Sequence, residues 1–294
     1  MSDYENLDTY KPKRAQWTQW QWLRIFTIVT ACFHFIQFVI LLSFGKTKKI
    51  PTHIDLQLWP LHGSNSTTNH FSYLQKNTGS LDLEAMIAAF FFLSFAFQFA
   101  VGTVFWKRAA AMLKLRAMQP FRFLEYAVSA SLMTLIFAVL VGIEEVSQLW
   151  LLFISMAVVM LLGLIQEYQL TFKRSFPALT KFEYFIPHLV GWIAFFAPVC
   201  TFITKFSLSI SNGPSKPPDW VYAIYASQFI IFGSFGITQL AQQIRLYNNY
   251  ADEAKCARIA LQSEFTYIFL SLSAKSVLAW ILYANLLAES SISY

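Results

Sequence analysis

Seven stretches of this 294-residue chain are each apolar over about 20 residues, the length an α-helix needs to cross the hydrocarbon core of a bilayer. They fall near residues 22–44, 81–105, 118–142, 148–169, 184–206, 220–244 and 265–287. In hydrocarbon every backbone N–H and C=O must be satisfied internally, and runs of this length do that as helices. Composition agrees: 56% of residues are hydrophobic and 13% charged, against about 25% charged in a soluble domain. The predicted fold is an all-α membrane protein, a bundle of seven transmembrane helices. The first 24 residues are polar and carry Lys11, Lys13, Arg14 and Arg24, so no signal peptide is expected and the first span should act as its own insertion signal.

Basic residues orient the bundle. The segment before span 1 and the connections 2–3, 4–5 and 6–7 hold fifteen Lys and Arg, with Lys107, Arg108, Lys114 and Arg116 concentrated between spans 2 and 3. The opposite side holds six: Lys46, Lys48, Lys49, Lys76, Lys205 and Lys216. The positive-inside rule puts the N-terminus in the cytoplasm and the C-terminus outside, the reverse of a G-protein-coupled receptor. The net charge of +6 is then mostly basic loops beside anionic lipid, and no nucleic-acid partner is needed to explain it. Cys32 and Cys200 lie within spans and Cys256 in a cytoplasmic loop; they support no disulfide framework and are read as packing residues. The expected organisation is a cytoplasmic segment over 1–21, one seven-helix domain over 22–288 and a short outer tail over 289–294.

The connections are short except for residues 45–80, which lie outside in this orientation. There an extended run, Ile50–Leu61, a polar turn at Gly63, Ser64 and Asn65, and a second run, Phe71–Leu74, predict a β-hairpin over the bundle. Asn65-Ser66-Thr67 is a glycosylation sequon on the correct face. Pro187, Pro198, Gly191, Gly233 and Gly236 allow bends and close helix approach, and Trp17, Trp20 and Trp22 fit an interfacial belt.

Lys275 is the only charge in the apolar run Phe265–Leu287. A lysine in the middle of a membrane helix costs about 3 kcal/mol on insertion scales. Its amine forms Schiff bases with aldehydes, and a desolvated site makes it a nucleophile. Two readings are open: a covalently held retinal-type chromophore, or a lysine paired with a buried carboxylate to hold the bundle. Glu125 is the one acid of span 3 past its first turn, and Ser129 follows a turn later on the same face. A buried glutamate stays charged only beside a cation. Lys275 is the obvious partner, and at about 4 Å and an effective dielectric near 20 the pair is worth about 4 kcal/mol. Arg122, three residues away, is the alternative partner. Ser271 stands one turn before Lys275, where it reaches the amine or bonds back to the helix carbonyls. His34 and Gln37 share a face of span 1, with Gln98 of span 2 at comparable depth, and together form a polar cavity beside the Lys–Glu pair. Glu167 ends span 4, either as part of that cavity or as a simple helix-end charge. Glu264, Asp252 and Glu253 flank span 7 and are expected to pair with loop bases.

The stretches FRFLEYAVSASLMTLIFAVLVGI (121–143) and YIFLSLSAKSVLAW (267–280) resemble the third- and seventh-helix signatures of heliorhodopsins. The resemblance continues through CFHFIQ at 32–37, LSFAFQF at 93–99, GLIQE ending span 4 and FGSFGITQLAQ at 232–242. It implies a retinal-binding seven-helix photoreceptor, typically dimeric, with a β-hairpin in the first outer loop. By that resemblance Lys275 binds all-trans retinal as a Schiff base and Glu125 is the counterion. Ser129, Ser271, Met133 and Trp280 border the chromophore, and His34, Gln37, Gln98 and Glu167 form a proton cavity. Two positions depart from the family pattern. The site of Gln98 is often histidine, and glutamine cannot relay a proton near neutral pH. Val199 follows Pro198 where family members often have tryptophan, so the pocket wall and colour are expected to differ.

Sensing is the first functional expectation, with a cytoplasmic signalling partner and a place in the cell membrane; light-gated or light-driven proton or ion transport on the same scaffold is the second. Pumps of the related microbial class carry a second carboxylate three turns beyond the counterion; that position is Ile136 here, and the position one turn before the lysine is Ser271. Both favour sensing. An enzyme is not expected, since no metal-binding or catalytic-triad constellation is evident.

Overall fold

The computed structural model describes residues 14–58, 72–214 and 216–289. In chain order these form α1 (Arg14–Phe44), β1 (Lys49–Leu58), β2 (Ser72–Asp82), α2 (Leu83–Gly102), α3 (Trp106–Arg116), α4 (Pro120–Leu140), α5 (Val146–Ser175), α6 (Lys181–Asn212), α7 (Asp219–Asn248) and α8 (Glu253–Glu289). Seven of these eight helices, all but α3, are long and apolar enough to cross a membrane. Their outward faces carry Trp22, Phe33, Leu42, Ile193 and Ile230 exposed, as side chains facing lipid tails should be. The protein is an integral, multi-pass membrane protein. Its hairpin and the α4–α5 and α6–α7 connections gather at one end of the bundle; α3 and the α5–α6 and α7–α8 connections gather at the other.

The hairpin is antiparallel, pairing Lys49 with Asp82 and Leu56 with Leu74, with an irregularity at Thr52/His53. Its second strand is longer than the sequence suggests, because the polar stretch Lys76–Asp82 continues the pairing with Lys49–Ile54 of β1. The predicted turn at Gly63–Asn65 and the sequon at Asn65 lie outside the described residues. The His53 N–H donates to the Glu144 carbonyl at 3.1 Å, tying the hairpin to the α4–α5 turn. That turn needs Gly142 at φ +76°, a conformation that L side chains rarely adopt. Asp82 ends β2 and caps α2, accepting from the N–H groups of Glu84 and Ala85, so strand passes directly into helix.

Two findings at the α3 end differ from the sequence reading. Residues 106–116, read as a basic connection, form α3, whose Ala109 and Leu113 are buried. Helix α8 starts at Glu253 rather than near residue 265, because Cys256, Ile259, Ala260 and Ser263 recur at helical spacing and are buried. Charged residues on the other face hide that segment from a hydropathy window. Trp20 is buried with Leu23, Leu113 and Cys256 rather than set in an outer belt, and the Lys114 ammonium lies 5.0 Å from its ring. Cys256 therefore packs inside a helix, whereas Cys32 and Cys200 face outward. The larger apolar cluster fills the hairpin half, with Phe90, Phe91, Ile136, Leu278 and Leu282 at its centre. Close packing of α1 on α2 depends on Gly102, where a Cβ would come within 2.7 Å of Ile28. Between the two apolar clusters lies a polar middle layer.

Candidate functional site

The polar layer is built by periodicity. On α8, Glu264, Ile268, Ser271 and Lys275 recur at i, i+4, i+7 and i+11, and on α4 Arg122, Glu125, Ser129 and Met133 follow the same rule. Where the two faces meet, the Lys275 Nζ donates to Glu125 Oε1 at 2.8 Å and to Ser271 Oγ at 3.0 Å. Ser94 of α2 donates to the same Glu125 oxygen at 2.6 Å. Lys275 and Glu125 are 2% and 3% exposed, so each charge is tolerated only because the other is present. The Lys275 ammonium also lies 5.2 Å from the Tyr126 ring.

Lys275, Ser271, Ser129 and Met133 border a cavity of about 330 Å³ that is also lined by Met160, Phe232 and Phe235. A second cavity of about 650 Å³ shares the walls at Tyr126, Met160, Phe232 and Phe235. A third of about 330 Å³ continues past Phe195 and Phe232 to Pro198 and Val199. Together they make an elongated, ring-walled space with one amine at its edge. The Ser129 hydroxyl there is buried without a hydrogen-bond partner. A lone amine, an orphan hydroxyl and a long apolar volume fit an elongated apolar aldehyde.

The other expected site residues separate into three places. Trp280 does not border these cavities: its indole donates to Gln37 Oε1 at 3.0 Å, alongside the Ser276 hydroxyl at 2.9 Å, on the side facing α1. His34 is fully buried against the Phe91 ring, with both ring nitrogens unpartnered. Gln98 borders a different cavity of about 380 Å³ shared with Glu125, Arg122, Gln119 and Glu264. His34 and Gln37 do not border that cavity. Glu167 is no simple helix-end charge: it accepts from the Gln119 N–H at 2.7 Å and from Arg122. Arg122 also pairs with Glu264, while the ion pair of Glu125 is with Lys275. Glu264, expected to meet loop bases, instead faces into the bundle. The three-turn spacing from Glu264 to Lys275 was the signal that could have placed it. Ser94 and Gln228, whose side-chain amide donates to the Ala274 carbonyl at 3.0 Å, had no such signal, because a lone polar residue in a span leaves its face unspecified.

A lysine buried in the last of seven membrane helices, ion-paired to a carboxylate of the third span and opening on a ring-walled cavity, defines a rhodopsin-type retinal protein. Within that class the chain belongs to the heliorhodopsin family, whose model matches residues 23–287, nearly its whole length. No match is found among curated proteins. Membership makes this a retinal-binding, light-sensing rhodopsin of photoreceptor type rather than a classical enzyme.

Proposed function

We propose that Lys275 carries all-trans retinal as a protonated Schiff base, with Glu125 as counterion, and that light drives a slow signalling photocycle. The observation that carries this reading is the buried Lys275–Glu125 pair at 2.8 Å, open on one side to the ring-walled cavity. The bound group supplies visible absorption and a light-driven isomerisation. The chain supplies the rest. Lys275 offers the amine, Glu125 balances the positive charge at Nζ, and Ser94 and Ser271 fix that carboxylate and amine with one hydrogen bond each. Met133, Met160, Phe232 and Phe235 exclude water and hold an apolar body alongside.

The distribution of polar groups favours sensing. From Lys275 towards the hairpin end lie Met133, Ile136, Phe90, Phe91, Leu278 and Leu282, packed as one apolar cluster without a carboxylate. Towards the α3 end lie Gln98, Gln119, Glu167 and Glu264. A proton leaving Nζ has buried carboxylates towards the α3 end and only the neutral groups Gln37, Ser276, Trp280 and Thr134 towards the hairpin, so it returns from the α3 side, which delays recovery without net transport. The buried acids of that side keep transport as the second reading. The basic excess at the α3 end supports a cytoplasmic N-terminus in the cell membrane, and the reading includes a homodimer and a cytoplasmic signalling partner.

Two experiments test this. Adding all-trans retinal to membranes holding the protein should generate a visible band that light and hydroxylamine bleach, and Lys275→Ala should give none; a coloured Lys275→Ala protein would overturn the reading. Voltage clamp under illumination should record no steady current, and a steady photocurrent lost in Glu125→Gln would establish transport instead.

A further inference from the structure

Arg122, Glu167 and Glu264 form a buried charge cluster in the α3-end half of the bundle. Arg122 donates one terminal nitrogen to each carboxylate, and the three side chains are 5%, 0% and 7% exposed. One guanidinium facing two carboxylates leaves one negative charge uncompensated, and a buried uncompensated charge is removed most readily by taking up a proton. No lysine or second arginine is at hand among the described residues packed around it, and His188 of α6, which borders a cavity together with Arg122, has its Nε2 taken up as the acceptor of the Trp192 indole N–H at 2.9 Å. α4 offers Tyr126 and Glu125, α5 offers Glu167, and α8 offers Tyr267, over whose ring the guanidinium lies at 3.8 Å. α7 offers Gln242, α1 Thr27 and α2 Gln98. Lys275 is bound to Glu125.

We propose that this cluster is a proton-binding site that holds one proton at neutral pH, resident on Glu264. Arginine does not give up its proton. Glu167 is the better-stabilised anion, since it accepts from the Gln119 N–H at 2.7 Å as well as from Arg122, whereas among the described residues Glu264 accepts from Arg122 alone. The site also communicates with the lysine pair. Glu264, Glu125, Gln98 and Gln119 border one cavity of about 380 Å³. The side-chain oxygens of Gln98 and Gln119 and the Nε of Arg122 are buried there without partners. Unpartnered buried polar atoms around a common space are where internal water binds, and such water carries protons. Glu264 stands three helical turns, about 16 Å, from Lys275 on the same face of α8. The inference rests on the chain alone and not on any bound chromophore.

Infrared spectroscopy of the retinal-free protein at neutral pH tests it, independently of whether retinal binds. The wild type should show a protonated-carboxyl stretching band that shifts in deuterium oxide. Glu264→Gln should lose it. Glu167→Gln should lose it too, because Glu264 and Arg122 then balance one to one, while Glu125→Gln should keep it. Should Glu264→Gln fail to fold, Glu264→Asp retains the acid and must move the band in frequency. A wild type without the band, a band that survives Glu264→Gln or Glu167→Gln, or one unmoved in Glu264→Asp overturns the proposal.

Discussion

Glu125→Gln removes the negative charge nearest the Lys275 nitrogen while keeping size and shape. At 2.8 Å and an effective dielectric of about 20, the charge–charge term is about 6 kcal/mol. The substituted amide still offers a carbonyl dipole to the single N–H of the protonated imine, so about 4 kcal/mol of that is lost. At about 1.4 kcal/mol per pH unit, this is roughly three units. In the retinal-bound protein the pH midpoint at which the visible band converts to its short-wavelength, deprotonated form should therefore fall by roughly three units, measured by spectrophotometric titration. Glu167→Gln should move the midpoint far less, because Arg122 and the Gln119 N–H already hold that carboxylate away from Lys275. A Glu125→Gln midpoint within half a unit of wild type, or a larger shift in Glu167→Gln, would refute the assignment of Glu125 as counterion.

Trp280→Phe should leave the absorption maximum close to wild type while Met133→Ala moves it, since Met133 borders the Lys275 cavity and Trp280 is bound to Gln37 on the α1 side; the reverse pattern in absorption spectra would contradict the cavity assignment. Gly142→Ala should destabilise the protein by about 1 kcal/mol, read from thermal unfolding in detergent, because its φ of +76° strains any side chain. Glu145 caps α5, and although burial, the largest single influence, pushes its carboxyl up, the Ser147 hydroxyl, the Gln148 and Ser147 N–H groups and the nearby His53 together hold it below the usual carboxylate value. Its capping is then present at neutral pH and lost on acidification through that lowered value, so Glu145→Ala should cost about 1 kcal/mol near pH 7 and nothing once the wild-type carboxyl is protonated.

What was legible in the sequence is what rests on long apolar runs and helical spacing. The seven spans follow from those alone, and the hairpin from two extended runs split by a polar turn; Lys275 is the obvious partner for Glu125, with Arg122 the alternative, because a charge in hydrocarbon must find its opposite and few candidates exist. The amphipathic pieces were lost to the same reasoning. α3 and the first turns of α8 carry charges on one face, and average hydropathy merges them with the loops. Arg122 shows the limit most clearly. Sequence spacing offered Glu125 as its neighbour, but the rotation of α4 against α5 and α8 turns it to Glu167 and Glu264, a choice that depends on how three helices pack. Trp280 is the reverse case: five residues beyond Lys275 puts it on another face of α8, and resemblance alone drew it towards the chromophore.

The central claim is that Lys275 carries the chromophore, and borohydride reduction followed by peptide mass mapping tests it most directly. Reduction of the retinal-bound protein should fix one retinyl group to the peptide containing Lys275, with the lysines of the connecting loops unmodified. A retinyl adduct on any other lysine, or a visible band without an adduct at Lys275, would contradict it.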